Sequence, residues 1–546
     1  MKRKAVAAVL TAVMVASMFT GCGSDNGSSS AKSASAASAA SAANDTVDED
    51  GKVNGIMYQE GLPLVDEGDY TFSIFCDDSS ESGEFIMLDE FKKQTNVDVD
   101  LKIYPYETAT ERLNLDLNSG DYADVIGGWT LSDNAILTYG VNQGVFIPLE
   151  DYFEKYCPNI SAFLDLPGVR EKMTAPDGHI YTIPYVCADT TVGYSPYINT
   201  KWLENVGMSM PTTTDEFEAV LKAFKEQDAN GNGDASDEIP FSTDPNNKHI
   251  EAMAGYFGLP MNKLGIAIQN EKVVYGGVSD TYREFLSWFH KLYAEGLVDV
   301  ELYTQDSSTW EGKGNQDLYG VSIAYGSNEF TGIPAAEERG DFDSMPVLNT
   351  DKDGIWLRDT EGFSVYRTQA VITNKAEHPE IICRWFDNAF ALENGIGCNR
   401  GPVGVIVNKE DDGYHAIDTT TLSEEDQEKY SWGNLWPQSL PKYLPVDFEF
   451  VEEHPMYDEK KATEEAYEAN LTKEIIPSYW IDLDKIDTFS DTNTAIKDFF
   501  EQQQAQFVCG ELDIDNDADW QAYVDGMYSL GLEDWVATQG IEEIAK

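Results

Sequence analysis

The sequence predicts an α/β fold built on a mostly parallel sheet with helices on both faces, and three observations carry that prediction. Some short stretches alternate apolar and polar residues at the strand period. Others place apolar residues at i, i+3, i+4 and i+7, as an amphipathic helix requires. The two kinds follow one another as β-α-β-α-β between residues 70 and 126. With 546 residues, 42% hydrophobic and 12% aromatic, the chain is long enough for more than one domain with a sizeable core.

Each element has its own reason. Tyr70 to Phe75 alternates β-forming residues and stops at Cys76-Asp77-Asp78-Ser79-Ser80. Phe85, Leu88 and Phe91, with Ile86 and Met87, give a helical face, and Val97 to Ile103 alternates strictly as a second strand. A helix from about Thr108 to Asn118 and a short buried strand at Asp124-Val125-Ile126 complete the unit. Ligands of such sheets bind beyond the carboxyl ends of the strands, which places Asp77, Asp78 and Gly127-Gly128-Trp129 at a cleft. Further along, Thr213 and Glu216 form a capping box before Phe217, Val220, Leu221 and Phe224. Helices are also expected around Phe285 to Tyr293, Pro379 to Leu392, Thr494 to Phe507 and Trp520 to Leu530. No repeat of fixed period is visible.

The first residues read as a targeting segment. Lys2, Arg3 and Lys4 precede the apolar run Ala5 to Phe19, which is too short and wrongly flanked to span a membrane, so residues 1–21 are expected to be a signal peptide. Thr20-Gly21-Cys22 resembles a bacterial lipobox, with Phe19 where that pattern prefers Leu, and makes Cys22 the expected lipidation site. The Ser/Ala/Gly-rich stretch after it cannot bury a core and reads as a flexible tether. These features place the protein on the extracellular face of a bacterial membrane, held by its lipid alone.

Charge excludes whole classes of partner. Against 37 Lys+Arg stand 97 Asp+Glu, a net charge of −60, and such a surface repels phosphate backbones and anionic lipid. Nucleic acid is excluded, and a neutral ligand is favoured over an acidic one. The six cysteines besides Cys22, at 76, 157, 187, 383, 398 and 509, lack CxxC spacing; they read as buried thiols, although six allow fifteen pairings.

The sharpest local motif is Asp228-Ala-Asn230-Gly-Asn232-Gly233-Asp234-Ala-Ser236-Asp237-Glu238-Ile239-Pro240. Oxygen donors at alternate positions can wrap a hard cation, and Gly233 permits the sharp turn, as in an EF-hand loop. It departs from that loop at position 12, which is Ile239, with the acidic pair one and two residues earlier. A structural Ca2+ site is expected, not a sensor. The later run Asp513, Asp515, Asp517 and Asp519 reads instead as the exposed start and N-cap of the final helix.

Catalytic signatures are missing. The six histidines are far apart, and no HExxH, GxSxG, P-loop or dinucleotide fingerprint occurs. A pair of carboxylates in space would suffice for a glycoside hydrolase, which stays open as an alternative beside a peptide or other solute receptor. The 11 tryptophans and 28 tyrosines, many beside turns, favour stacking on sugar rings. Trp129, Tyr194, Trp310, Trp356 and Trp432 are the expected platforms, and Asp78, Glu81 and Arg400 the expected hydroxyl partners.

Together these segments resemble the extracellular solute-binding proteins of family 1, in its large lipoprotein subgroup. Gly120 to Ile126 is similar to the family's GDxPDV strand, and Asp177 to Tyr185 to its DGKIYGLPY stretch. Asp228 to Pro240 is similar to the calcium loop of alginate-oligosaccharide binders, one residue longer here; Leu292 to Leu297 and Asp519 to Tyr523 also fit. The resemblance implies a two-lobed, type II periplasmic-binding-protein-like fold that closes on ligand in a cleft between the lobes. Lobe 1 would hold residues 68–190 and about 365–400, lobe 2 about 191–364 and 401–546, after a lipidated tether over 22–67. It further implies Ca2+ ligands at Asp228, Asn230, Asn232, Asp234, Asp237 and Glu238. The ligand would be an oligosaccharide, passed uncleaved by a monomeric receptor to the permease subunits of an ABC importer, so no catalytic residue is expected.

Overall fold

A computed structural model of the chain describes residues 45–545 except 79–83, 189, 245–248, 333–340, 418, 446–447, 449 and 452–454. The signal segment, Cys22 and Glu81 lie outside the described residues.

The strands form where alternation predicts them. Tyr70–Asp77 (β1), Val97–Tyr104 (β2) and Val125–Gly127 (β3) run parallel, with α1 (Ile86–Thr95) and α2 (Tyr106–Ser119) as crossovers. Two later strands, Thr182–Ala188 (β4) and Phe363–Ile372 (β9), complete a five-stranded sheet of order β2-β1-β3-β9-β4. β9 is antiparallel to both its neighbours, so it is the single reversed strand. A second sheet of order β8-β5-β7-β6 consists of Ser195–Asn199 (β5), Ile239–Thr243 (β6), Tyr319–Ala324 (β7) and Phe342–Ser344 (β8).

Each sheet has its own core. Around the first pack Phe72, Ile74 and Phe91 with helices Glu150–Tyr156 (α3), Pro158–Leu164 (α4) and Pro379–Ala389 (α7). Around the second pack helices Thr214–Glu226 (α5), Asp280–Ala294 (α6) and Ile486–Cys509 (α9) through Phe217, Phe224, Phe285 and Phe500. Burial of this apolar surface, worth about 25 cal/mol per Å2, drives both. The N-cap of α5 is Thr213, whose hydroxyl accepts from the Glu216 amide (3.2 Å), while Glu216 reaches back one residue further than a capping box does, to the Thr212 amide (2.8 Å). In the late acidic run the cap is Asn516, with Asp517 and Asp519 in the first turn; a further helix, Leu532–Thr538, follows it.

Two expected boundaries are corrected. Residues 22–67 are not tether to their end, because Val53, Met57, Leu64 and Val65 are buried in the first core, and Lys52–Val53 pairs with Met57–Tyr58. Nor does everything after residue 400 belong with the second sheet: Trp436 and Leu440 pack in the first core, Trp436 stacked on Trp385.

Candidate functional site

The carboxyl end of β1 organises one wall of the cleft. Asp77 is fully buried, and its carboxylate accepts from the amides of Trp129 (2.9 Å) and Thr130 (2.6 Å). Gly128 makes that wrap possible: it has φ +138°, and a Cβ there would fall 2.3 Å from the Asp77 carboxylate. The loop therefore holds the Trp129 indole out over the strand ends, where it is 44% exposed. Tyr185 on β4 and Tyr366 on β9 stack on each other (5.6 Å, 15°) and meet Trp129 edge-on at 6.1 and 5.2 Å. Just past Tyr366 the β4–β9 register shifts, a bulge of the kind that re-aims side chains beside sites.

A second loop, from Trp432 to Lys442, closes over this wall. Asp78 is buried and its Oδ2 accepts from the Gln438 amide (2.7 Å), while the Ser439 hydroxyl donates to the Asp77 carbonyl. Gln438 in turn donates to the carbonyls of Trp432 (2.9 Å) and Trp436 (2.8 Å). Fully buried Lys442 donates to Gln438 Oε1 (2.6 Å) and sits between the rings of Tyr185 (5.3 Å) and Trp432 (5.5 Å). Trp432 is 51% exposed, so two indoles present free faces on one wall.

The opposite wall has different chemistry. Tyr194, just before β5, stacks on His249 (4.1 Å, 13°) and meets Tyr325 edge-on. Lys460 lies 3.7 Å over the Tyr325 ring and donates to the Gly193 carbonyl (2.9 Å). Glu329 accepts from the Tyr325 amide (2.9 Å), and burial, with Asp244 and Glu311 nearby, pushes its carboxyl up to about 7. Burial also lowers His249 to about 4, so the imidazole is neutral at pH 7. The Tyr194 phenol is raised by burial first, then by Glu329, Asp244 and Tyr366; the last of these puts it within electrostatic reach of the first wall.

Of the expected platforms, Trp129 and Trp432 keep exposed ring surface, and Tyr194 is half-buried against His249. Trp310 and Trp356 are buried, at 2% and 1% exposed, Trp310 donating to Ser322 (3.2 Å) and Trp356 packed against Tyr256 and Tyr467. Asp78 is a loop anchor and not a free hydroxyl partner. Arg400, at the end of Leu392–Arg400 (α8), lies over the Phe450 ring (5.9 Å). No local pattern singles out Tyr366, Lys442 or His249, whereas Tyr185 ends the Asp177 to Tyr185 stretch that carries the family resemblance.

The Asp228–Glu238 loop joins α5 to β6. Asn230 and Asn232 both donate to the Asp237 carboxylate (3.2 and 2.7 Å), and the Gly233 amide donates to Asp228 (3.0 Å). Glu238 accepts from the Ala229 amide through Oε1, while its Oε2 is buried without a hydrogen-bond partner. Burial, with Asp237 beside it, raises the Glu238 carboxyl above its ordinary range.

Residues 78–395 match the bacterial extracellular solute-binding proteins. The chain is 31% identical over 411 residues to the fructooligosaccharide ABC transporter substrate-binding protein FusA of Streptococcus pneumoniae serotype 4, spanning 73% of this chain and 70% of that one. The solved structure of a FusA EF-hand mutant with fructo-nystose is similar at a TM-score of 0.75 and 27% identity, over 86% of this chain and 98% of that one. Lipoprotein LipO of Bacillus subtilis is 28% identical over 280 residues, 50% of this chain and 52% of LipO. Alginate-binding protein AlgQ2, solved without calcium ion, shares the fold at a TM-score of 0.70 and 23% identity, over 88% of this chain and 99% of that one. The fold is thus the two-lobed, type II periplasmic-binding-protein-like one. The chain belongs to the bacterial extracellular solute-binding proteins, a family of binding proteins rather than enzymes.

Proposed function

We propose that the protein captures a neutral oligosaccharide and delivers it to the permease of an ABC importer. One observation carries this: exposed Trp129 and Trp432, backed by Tyr185 and Tyr366, form a wall of ring faces held rigid by Asp77, Asp78 and Lys442. Such faces fit the C–H faces of pyranose or furanose rings, and rigid anchors spare the ordering cost of binding. FusA, the relative whose structure holds fructo-nystose, supports a fructose-containing oligosaccharide as the first candidate. Neutrality is supported by the opposite wall, where Glu329 and Asp244 gather while Lys460 is engaged by Tyr325 and Gly193. An acidic sugar would meet carboxylates there.

The same reading includes a lipid anchor at Cys22, supported by the lipobox-like sequence and by the lipoprotein LipO among the relatives, and a monomeric receptor. It also includes a structural Ca2+. Asp228, Asn230, Asn232, Asp234, Asp237 and Glu238 would hold the ion; their donor set is all oxygen, and the buried Glu238 Oε2 lacks any other partner. Bound Ca2+ would neutralise the crowded carboxylates and pin the α5–β6 connection, without touching the ligand.

A thermal-shift screen of neutral and acidic oligosaccharides, with and without EDTA, tests this reading. A ligand at 100 times its Kd should add about 2.7 kcal/mol of stability. A rise in Tm with a neutral fructooligosaccharide recovered uncleaved is expected, together with a fall in Tm on EDTA. A rise only with uronate oligosaccharides overturns neutrality, no sugar response overturns the carbohydrate reading, and indifference to EDTA overturns the calcium reading.

A further inference from the structure

We infer that Arg367 is the positioning residue of the aromatic wall: its guanidinium ties the loop that presents Trp129 to the strand that presents Tyr366. The inference rests on the function proposed above, in which that wall meets the ligand. β9 carries both side chains in succession. Tyr366 is exposed and Arg367 is 4% exposed, so the two point to opposite sides of the strand. From Tyr366 to Ala370 β9 takes four residue steps where β4 takes two, from Tyr185 to Ile183, and Arg367 lies in that bulge.

Three groups satisfy the buried guanidinium. Nε donates to Asp133 Oδ1 (2.8 Å) and Nη2 to Asp133 Oδ2, a two-pronged pairing that fixes orientation as well as distance. Nη2 also donates to the Tyr479 carbonyl (2.9 Å), and the cation lies 4.0 Å over the Trp480 ring. Asp133 ends the loop that begins at Gly128. That loop is therefore gripped twice, by Asp77 at the amides of Trp129 and Thr130 and by Arg367 at Asp133. Neighbouring bonds stiffen it: the Gly128 amide donates to the Gln369 carbonyl inside the bulge (2.8 Å), and Asn134 donates to Ser490 of α9 (3.0 Å). Tyr479 and Trp480 brace Arg367 from a third segment. Leu471 packs against the second core, whereas Ile481 is buried with Ile126 of β3 and Val371 of β9, so this stretch passes from the second core to the first sheet. Trp480 is pinned in turn, its indole donating to the Lys172 carbonyl (3.1 Å). A guanidinium this deeply buried is costly to leave unpaired, so loop and strand keep one relative placement. Arg367 sits behind the rings and acts through them.

The test is a double-mutant cycle read by calorimetry with a neutral fructooligosaccharide, together with the fluorine NMR spectrum of protein carrying fluorotryptophan, its Trp129 signal assigned by loss in Trp129→Ala. Arg367→Met should raise Kd about tenfold in the wild-type background and less than about twofold in Trp129→Ala, because the residue acts through that indole. Without ligand, the same substitution should shift or broaden the Trp129 signal and leave that of buried Trp356 in place. Asp133→Asn, which keeps the shape of the loop side chain, should reproduce both effects more weakly, and it carries the test if Arg367→Met does not fold. An unmoved Trp129 signal, or an equal loss of affinity in both backgrounds, overturns the positioning role. A Trp129 signal that moves while Trp129→Ala itself binds normally upholds that role and overturns the ligand reading instead.

Discussion

The two walls of the cleft solve the same problem with different physics. The β1 side spends buried polar groups on holding apolar faces outward: Asp77, Asp78 and Lys442 are all nearly inaccessible, and each fixes a loop whose tryptophan stands in the open. The β5 side keeps its rings half-buried, pairs Tyr194 with a neutral His249, and gathers carboxylates behind them. One wall offers area for stacking; the other offers acceptors for hydroxyl protons. On the proposed function, an elongated ligand with an apolar face and a hydroxylated edge would meet both.

Substitutions that separate exposed from buried aromatics test the contrast most severely. Trp356→Ala, behind the β5 side, should cost about 3–5 kcal/mol of stability, because it empties a core site, and should lower Tm steeply while the folded fraction binds normally. Trp129→Ala should do the reverse. Its indole is already in water, so stability should change by less than about 0.5 kcal/mol, while Kd should rise roughly 30-fold, about 2 kcal/mol, by calorimetry. Equal losses of affinity in the two variants would erase the distinction.

Smaller effects sharpen it. Lys442→Met removes the cation from between Tyr185 and Trp432 while keeping an unbranched side chain only one atom shorter, and should weaken binding by about 1 kcal/mol, roughly fivefold, through loss of ring positioning. On the other wall, Glu329 titrates near 7 against an ordinary 4.5 because burial disfavours its charge. The folded state then binds the proton more tightly than the unfolded chain, so this group's contribution to stability is largest below pH 4.5 and is lost as pH rises to about 7. Glu329→Gln should flatten that slope: its Tm advantage over wild type should grow from pH 4.5 to 7 and level off above. A parallel pair of Tm–pH curves would contradict the burial of this carboxylate.

How much of this was legible in the sequence differs between scaffold and site. β1, β2 and α5 announce themselves by period, since burial on one face imposes the alternation that is read. The rule that ligands lie beyond strand ends points to Trp129 through Asp77 and Gly128, which the structure places side by side because β1 and β3 are neighbours. That rule says nothing about depth. Trp310 and Trp356 lie near turns as Trp129 does, yet packing buries them, and a local stretch of sequence does not encode which side of a loop faces a core. Tyr366 depends on a bulge, and Lys442 on a loop that returns from far along the chain to cover β4; neither leaves a local pattern. The turn over Asp228–Glu238, by contrast, is contiguous in sequence, and its side chains bond one another within that stretch.

The most direct measurement is a calorimetric titration of a neutral fructooligosaccharide into the wild type, Trp129→Ala and Trp310→Ala. If the aromatic wall of β1 and β3 carries recognition, the wild type and folded Trp310→Ala bind alike and Trp129→Ala binds roughly 30-fold more weakly. Unchanged affinity in Trp129→Ala would show that the ligand is held elsewhere.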